Sequence, residues 1–276
     1  MGRGRAKKTI ALMEAARAIL EDENPMTLRQ VFYQLVSRHL IENTEAQYNR
    51  LGKVLVDARK EGIIKWDWME DRTRRPHHVS MWHDLADFGE AAASQYRRYT
   101  WDTQPLYFEA WLEKDALSGI FDEILEPYGV TLNVAKGFDS WDSIRNAASR
   151  LKQGDTILYF GDFDSSGVDM PRSLQERLAF FNCYPEIKIC ALTADDIDRY
   201  QLPPDFAKKS DPRAAAFISK HGDRAVELDA LPVQVLRDRI RTEIESRLDL
   251  QALEECRERE AEETTRLVQA IDGIDG

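Results

Sequence analysis

Apolar and polar residues alternate with a helical period over the first 65 residues. The first apolar stripe predicts a helix from Thr9 to about Glu21, with an inner face formed by Ile10, Met13, Ala16, Ile19 and Leu20. The segments TLRQ (27–30) and TEAQ (44–47) each place a threonine three residues before a glutamine. This is the spacing of a capping box, in which each side chain bonds the other residue's backbone N–H, so it predicts the start of a second and a third helix.

The third predicted helix ends at Gly62, and a different pattern follows it. Residues 64–69 alternate apolar and polar positions, which predicts a strand, and a basic segment comes next. Two helices joined by a short turn and followed by a β segment are the layout of a winged helix-turn-helix, a DNA-binding unit. The basic side chains expected on its outer surface and wing are Arg50, Lys53, Arg72, Arg74 and Arg75. The alternative for the wing cluster is an ordinary solvated charge run.

Beyond about residue 100, four strand-like runs alternate with helical stretches, which predicts an α/β fold with a mostly parallel sheet. The strands are expected at 105–113, 130–137, 155–162 and 185–192. The helices between them are expected at 114–125, 142–152 and 172–181. A polar, turn-rich stretch begins near residue 201, and one or two helices follow it. The predicted division of the chain is a winged-helix domain at 1–100, an α/β domain at 101–232 and a C-terminal helical segment at 233–276.

The composition narrows the class of protein. Of the 276 residues, 43% are hydrophobic and 32% are charged, as in a soluble globular protein. No apolar run approaches the roughly 18 residues of a membrane span, and the N-terminus lacks the apolar stretch and cleavage site of a signal peptide. We therefore expect a cytoplasmic protein without a membrane partner. Cys183, Cys190 and Cys256 form no metal-binding or disulfide pattern and are predicted to be buried thiols.

The net charge of −11 argues against a nucleic-acid partner, but the charge is unevenly distributed. Residues 1–80 hold 15 Lys and Arg against 11 Asp and Glu, a net of +4, whereas residues 249–276 hold 3 against 9, a net of −6. The basic end is therefore the part suited to phosphate. Its first residues include Arg3, Arg5, Lys7 and Lys8, which we interpret as a flexible basic arm.

Three carboxylates stand where predicted strands end. Glu113 ends one strand, and Asp162 and Asp164 end another. Ligands of parallel sheets bind outside the carboxyl ends of the strands, so these groups are expected to meet at one edge and to repel unless a cation lies between them. Hard oxygen ligands select Mg²⁺ or Mn²⁺, which suit phosphate chemistry. Gly167 would let the backbone turn closely past such an ion.

Other interpretations fit the segment DFDSSG (162–167) taken alone. It is a strand-ending turn by composition. It also imitates the first half of an EF-hand loop, although Ser173 stands where the glutamate belongs and a strand precedes it. A haloacid-dehalogenase phosphatase places Asp-x-Asp after a strand as well, but Ser166 stands where that family usually has Thr or Val.

Three segments together resemble a known family. LEKDAL (112–117), AKGFDS (135–140) and GDFDSSGVDM (161–170) follow, in order and at similar spacing, the Toprim domain of the topoisomerase VI A subunit and its meiotic double-strand-break relatives. In that family the glutamate and the Asp-x-Asp pair bind Mg²⁺, and a winged-helix domain of the CAP type precedes the Toprim domain. The resemblance implies this order here, with Glu113, Asp162 and Asp164 as metal ligands.

The resemblance extends to a nucleophile. The family's winged helix carries Arg-Asp-Ile-Tyr-Tyr, whose second tyrosine attacks a DNA phosphate, and this sequence has RQVFY (29–33). Tyr33 matches the attacking tyrosine and Arg29 the arginine, while Gln30 and Phe32 depart from the pattern. An arginine four residues earlier lies on the same helical face, where it is placed to stabilise charge on the phosphate. The alternative for Tyr33 is an ordinary aromatic residue of an amphipathic helix.

The resemblance implies Mg²⁺-dependent cleavage of double-stranded DNA by tyrosine transesterification, with Glu113 as a further proton donor. In the family, tyrosine and metal come from different subunits, so a homodimer is expected. The chain is shorter than a typical A subunit, like the compact Mini-A proteins. Nothing in it resembles the ATPase of a B subunit, so an ATPase would be a separate partner. AVELDALP (225–232) is similar to the segment that follows Toprim, and we interpret Glu227 and Asp229 as mainly structural, with contact to the metal site as the alternative.

Two other functions stay open from the sequence. One is a Toprim nuclease, which hydrolyses DNA with metal-activated water and needs no tyrosine. The other is a winged-helix DNA-binding protein without catalysis. All three place the protein on DNA, in a cytoplasmic, nucleoid-associated location.

Overall fold

A computed structural model describes residues 7–69, 80–134, 141–204 and 213–272 of the chain. The helices before residue 100 are α1 (Lys7–Asp22), α2 (Leu28–Ser37), α3 (Glu45–Lys60) and α4 (Leu85–Gln95). The elements that follow are β1 (Phe108–Leu112), α5 (Ser118–Leu125), β2 (Thr131–Val134), α6 (Trp141–Arg150), β3 (Thr156–Phe160), α7 (Met170–Phe180), β4 (Glu186–Ala191), α8 (Ala194–Arg199), α9 (Ala214–His221), α10 (Val233–Glu245) and α11 (Leu250–Asp272).

Four strands form one parallel sheet in the order β2-β1-β3-β4. Every residue of the two central strands, β1 and β3, is buried. Strands covered on both faces carry continuous apolar runs instead of alternating ones, which is why these segments stand out in the sequence. The predicted α/β fold with a parallel sheet is confirmed, and each strand is shorter than its predicted segment.

Alternate residues of the central strands enter two separate cores. One face carries Phe108, Ala110, Leu112, Leu158 and Phe160, and the other carries Trp111, Ile157 and Tyr159. Helices α6 and α7 cover the second face with Ile144 and Leu174. The first face shares a continuous core with α5, α10 and the helices α1 to α3. The N-terminal helices are therefore packed into the same apolar core as the sheet.

The capping box at Thr27 is present as predicted. The Thr27 hydroxyl accepts a hydrogen bond from the N–H of Gln30 at 3.3 Å, and the Gln30 side chain accepts one from the N–H of Thr27 at 2.6 Å. At Thr44 only half of the motif forms, because Gln47 donates its N–H to the threonine while its side-chain oxygen has no hydrogen-bond partner among the described residues. Both threonines begin helices, and Gly62 follows α3 with a positive φ of 74°.

The strand predicted at residues 64–69 is wrong. Trp66–Trp68 is a turn of 3₁₀ helix, and Met69 makes only an isolated parallel bridge with Met26. A cationic side chain lies over each of the two indole rings. The Arg59 guanidinium is 4.8 Å from the Trp66 ring centre, and the Lys65 ammonium is 5.2 Å from the Trp68 ring centre. A segment with an alternating pattern forms a strand only when it pairs with a neighbouring strand, and no strand lies beside residues 64–69 in the described chain. The winged-helix and Toprim assignments and the three-part division of the chain stay predictions.

Helix α9 was missed, because it lies within the stretch predicted to be turn-rich. Helix α4 was also not predicted, and it packs against the C-terminal helix α11. Tyr96, just after α4, donates its hydroxyl to Glu263 at 2.6 Å, and Gly89 of α4 leaves no room for a side chain beside Ile271. One or two helices were expected at the C-terminal end, and two, α10 and α11, are present.

Two predictions from composition can be checked against the structure. Cys183, Cys190 and Cys256 are buried free thiols, as predicted. In the described part of the chain, no helix has the length and apolar character needed to cross a membrane.

The capping box at Thr27 should stabilise the fold measurably, because α2 is only ten residues long. We expect Thr27→Ala to lower the free energy of unfolding by about 1 kcal/mol, the usual value of an N-cap hydroxyl. Urea unfolding followed by circular dichroism measures the change. Thr27→Ser keeps the hydroxyl and serves as the control. Equal losses in both variants would show that the cap is not the cause.

Candidate active site

The carboxyl ends of β1 and β3 bring Glu113 and Asp162 into contact. Glu113 continues the sheet, because its N–H donates to the Phe160 carbonyl at 3.0 Å. Its side-chain oxygen Oε2 accepts two hydrogen bonds of 3.0 Å, one from the N–H of Asp162 and one from the hydroxyl of Tyr159. Two of the three predicted carboxylates therefore lie side by side at this edge, and the Glu113 carboxylate is held by β3.

The backbone turns sharply after Asp162 and returns against it. The Asp164 oxygen Oδ1 accepts the N–H groups of Ser166 and Gly167, both at 2.8 Å. A side chain at Gly167 would clash with the Asp162 carbonyl oxygen and would lie 3.1 Å from Glu113 Oε2. The segment is thus the tight turn that its Asp, Ser and Gly content predicts, and this turn fixes the direction of the Asp164 carboxylate.

A short antiparallel contact attaches the segment 225–232 to this turn. Phe163 and Val226 exchange backbone hydrogen bonds of 2.8 and 3.0 Å, and the N–H of Leu228 donates to Asp162 Oδ1 at 2.8 Å. These contacts bring Glu227 and Asp229 to the carboxylate edge. Their role, whether structural or in contact with a metal site, stays a prediction.

Lys114 lies among three carboxylates. Its Nζ atom is 3.0 Å from Asp162, 2.9 Å from Glu227 and 3.2 Å from Asp229. The Asp229 side chain has no exposed surface, and its second oxygen, Oδ1, has no hydrogen-bond partner among the described residues. Lys114 was not predicted as a site residue, although its position directly after Glu113 at a strand end was a usable signal.

Arg29 and Tyr33 lie on one face of α2 and contact the same cluster. Arg29 Nε is 3.2 Å from both Glu227 Oε2 and Asp229 Oδ2, and a second guanidinium nitrogen also pairs with Glu227. Tyr33 and Glu227 line the same cleft, the Glu227 carboxylate raises the pKa of Tyr33, and Arg29 lies 5.8 Å from the Tyr33 ring centre. The four-residue spacing therefore brings both side chains to Glu227.

Tyr33 is 7% exposed and lies in the wall of a cleft of about 490 Å³ between α2 and the start of α3. The cleft is lined by Arg29, Phe32, Tyr33, Asn43, Thr44, Glu45, Tyr48 and Glu227. Its charged lining residues are one arginine and two glutamates. The Tyr33 side chain is thus largely buried beside this cleft.

Burial sets the charge state of the carboxylates at the sheet edge. It raises the pKa of Asp162 to about 7 against the pull of Lys114, and the charge of Glu113 raises it further. Burial also raises the pKa of Glu113, opposed by the hydrogen bonds from Asp162 and Tyr159 and increased by Asp164. Both shifts are due first to burial, and a neighbouring negative charge adds to each.

The pKa values of Glu227 and Tyr33 are shifted in opposite directions. Burial disfavours the Glu227 carboxylate, but Lys114, Arg29 and the Tyr33 hydroxyl outweigh it and hold its pKa at about 2. Burial raises the pKa of Tyr33, and the neighbouring Glu227 carboxylate raises it further. In the free protein the phenol is therefore neutral and its partner is charged.

The predicted metal ligands can be compared with what Mg²⁺ or Mn²⁺ requires. Glu113, Asp162 and Asp164 supply the hard oxygen atoms that such an ion prefers. Each of the three carboxylates accepts backbone N–H groups, and no group of three His, Cys, Asp or Glu residues in the described ranges is arranged to hold a metal. The three residues therefore offer the donor chemistry of such an ion, but their described arrangement is not that of a formed metal site.

Of the predicted DNA-contact residues, only Arg50 and Lys53 lie in the described part of the chain. Lys53 is exposed on α3 in a groove with Leu28 and Tyr48, and Arg50 lines a different groove, between α1 and residues 39–43. The wing residues Arg72, Arg74 and Arg75 lie outside the described residues, as do Arg3, Arg5 and the AKGFDS segment. Lys7 and Lys8 form the first turn of α1, so for these two the flexible-arm prediction is wrong.

The sequence matches no protein-family model and no curated protein.

Glycine at position 167 should be required by the turn, because any side chain would meet the Asp162 backbone. We expect Gly167→Ala to lower the free energy of unfolding by about 1–3 kcal/mol, the usual cost of overpacking. Gly52→Ala is the matched control, since the added methyl would meet only the flexible end of Leu28, at 3.3 Å. Chemical denaturation of both variants measures the difference. A Gly167→Ala protein as stable as Gly52→Ala would contradict the close approach.

The ion pairs of Glu227 should make the protein sensitive to acid. Because the pKa of Glu227 is lowered from 4.5 to about 2 on folding, its carboxylate contributes stability above pH 4.5 that is lost as the pH falls through about 2. We expect the wild type to be more stable than Glu227→Gln at neutral pH, and this difference to shrink as the pH is lowered. Urea unfolding of both proteins at several pH values measures it. A difference independent of pH would contradict the lowered pKa.

Proposed function

We propose that this protein cleaves double-stranded DNA by transesterification at Tyr33, in the manner of a topoisomerase VI A subunit. One observation carries the proposal. Four segments far apart in the sequence meet at one place, because Tyr33 and Glu227 line one cleft, Glu227 pairs with Lys114, and Lys114 pairs with Asp162 beside Glu113. A phenol beside an arginine and a carboxylate edge is a constellation suited to phosphate chemistry.

The proposed reaction exchanges one phosphate ester for another. The Tyr33 oxygen forms a bond to the phosphorus of a DNA phosphodiester, and the bond from phosphorus to the sugar oxygen breaks. The Arg29 guanidinium stabilises the negative charge that develops on the phosphate oxygens. Glu113, whose pKa is raised by burial, is the proposed proton donor to the departing sugar oxygen. The product is a DNA strand joined to the protein through Tyr33.

Glu113, Asp162 and Asp164 are the residues proposed to hold Mg²⁺ or Mn²⁺. When bound, such an ion supplies positive charge that stabilises the attacked phosphate and the leaving oxygen. The chain's own part is to aim the three carboxylates. Glu113 is fixed by Tyr159 and by the N–H of Asp162, and Asp164 is fixed by its turn.

The proposed partners are double-stranded DNA, a second copy of the chain and a separate ATPase subunit. Cutting two strands needs two tyrosines, which a homodimer supplies. The resemblance implies that tyrosine and metal ligands act across two subunits. In the structure, the Tyr33 side chain is connected to Asp162 through Glu227 and Lys114 of the same chain. The proposed setting is the cytoplasm, in association with the nucleoid.

Covalent attachment to DNA tests the proposal directly. Protein is incubated with end-labelled duplex DNA and Mg²⁺, stopped with denaturant, and examined for labelled protein. We expect an adduct with the wild type, none with Tyr33→Phe and a strongly reduced amount with Glu113→Gln. Tyr184→Phe and Glu186→Gln are the matched controls and should behave like the wild type, because both residues are exposed and lie before or at the amino end of β4.

Two outcomes would replace the proposal. Cleavage that survives Tyr33→Phe and leaves no adduct would identify a nuclease that uses metal-activated water. Salt-sensitive DNA binding without cleavage, unchanged in Asp162→Ala, would identify a DNA-binding protein without catalysis.

A further inference from the structure

Glu227 connects three functional groups through one carboxylate. Its Oε2 atom lies 3.2 Å from Arg29 Nε and 2.9 Å from Lys114 Nζ. Glu227 and Tyr33 line the same cleft, and Arg29, which pairs with Glu227, also lies 5.8 Å from the Tyr33 ring centre. Glu227 is therefore a carboxylate placed beside the phenol that must lose a proton to become a nucleophile.

Arg29 is committed to carboxylates in the free protein. Its guanidinium pairs with Glu227 and with Asp229, while 41% of the side chain stays exposed toward the cleft. A phosphate that enters the cleft competes with Glu227 for this guanidinium. Since a phosphate oxygen and a carboxylate oxygen accept the same hydrogen bonds, substrate binding and the release of Glu227 from Arg29 are one exchange.

Asp229 and Glu227 differ in their freedom to take part in this exchange. Asp229 has no exposed side-chain surface and keeps both Arg29 and Lys114 at 3.2 Å, whereas the Glu227 side chain is 26% exposed and lines the cleft. If Glu227 leaves Arg29, Asp229 still holds the two cations in place. The buried aspartate is the fixed partner, and the glutamate is the one that can turn toward the substrate.

We propose that Glu227 is a catalytic residue that accepts the phenolic proton of Tyr33 during strand cleavage. The inference rests on the proposed function and assigns the base of its first step. The Tyr33 O–H bond breaks and its proton passes to a Glu227 oxygen, while the Tyr33 oxygen bonds to phosphorus. The phosphorus–oxygen bond to the sugar breaks, and the sugar oxygen takes a proton from Glu113. Religation runs the same transfers in reverse.

The exchange at Arg29 explains how a strongly paired carboxylate becomes a base. In the free protein two cations stabilise the Glu227 charge, so it holds no proton. Once a phosphate binds Arg29, Glu227 no longer has Arg29 as a partner. With one stabilising cation fewer, the affinity of Glu227 for a proton rises. Tyr33 is therefore activated only when a phosphate is present, which keeps the free nucleophile neutral.

The test compares Glu227→Gln with wild type in single-turnover formation of the covalent adduct over a range of DNA concentrations. Glutamine keeps the size and the hydrogen-bond acceptor but takes up no proton. We expect the maximal rate to fall about 10²–10⁴-fold, the usual contribution of a general base. The DNA concentration at half-maximal rate should stay equal or fall, because Arg29 is freed. Glu227→Asp keeps a carboxylate and should recover part of the rate, and Glu186→Gln should match the wild type.

The outcomes separate the two proposals. If the wild type forms no adduct, the proposed function fails and this inference fails with it. If the wild type forms an adduct and Glu227→Gln forms it at the same maximal rate, only the role of Glu227 is overturned. A Glu227→Gln defect that saturating DNA removes would also overturn it, because Glu227 would then act in binding. Thermal unfolding of each variant shows that the comparison is made on folded protein.

Discussion

The ammonium group of Lys114 is the contact on which the arrangement of the candidate site depends. It lies within 3.2 Å of Asp162, Glu227 and Asp229, which belong to segments separated by more than 60 residues of chain. At such distances, and away from bulk water, unpaired like charges repel strongly. Removing one partner of a buried ion pair typically costs about 3–5 kcal/mol, because the remaining charges stay desolvated. Arg29 supplies a second cation to the same group.

The charges around Lys114 do not balance. Glu113, Asp162, Asp164, Glu227 and Asp229 face two cations, Lys114 and Arg29. The pKa values of Glu113 and Asp162 are raised, so these groups are harder to ionise. Glu227 stays charged because both cations, Lys114 and Arg29, lower its pKa. This division separates the site into two parts. The sheet edge has a deficit of positive charge suited to a divalent ion, and the cleft beside Tyr33 has a fully paired carboxylate.

The sheet gives this arrangement its rigidity. The central strands are buried on both faces, so the residues that follow them, Glu113 and Asp162, begin from fixed positions. Tyr159 belongs to the buried part of β3, yet its hydroxyl reaches the Glu113 carboxylate at 3.0 Å. Tyr159 thereby links the core on one face of the sheet to the carboxylates at its edge. Helix α2 packs into the core of the other face, which brings Tyr33 to the same place.

The sequence by itself determined the elements and the residues that end them. Buried strands have continuous apolar runs in the sequence, and helices have a helical period and a capping motif. These patterns predicted the parallel sheet, the start of α2 and the strand-end positions of Glu113, Asp162 and Asp164. The same reasoning placed Arg29 and Tyr33 on one helical face. It failed at residues 64–69, where an alternating pattern had no neighbouring strand, and at α9, whose polar surroundings resembled a loop.

Only the tertiary structure decided what these residues contact. Arg29 meets Glu227 across 198 positions of sequence, and Lys114 meets Asp229 across 115. No period or local motif records such a contact, because it depends on how the segment 225–232 bonds to the turn after β3. The Phe163 and Val226 backbone pair makes that connection, and its hydrogen bonds carry no side-chain signature. Residue type and spacing indicated the candidate ligands and the candidate nucleophile, and only packing placed Lys114 and Glu227 between them.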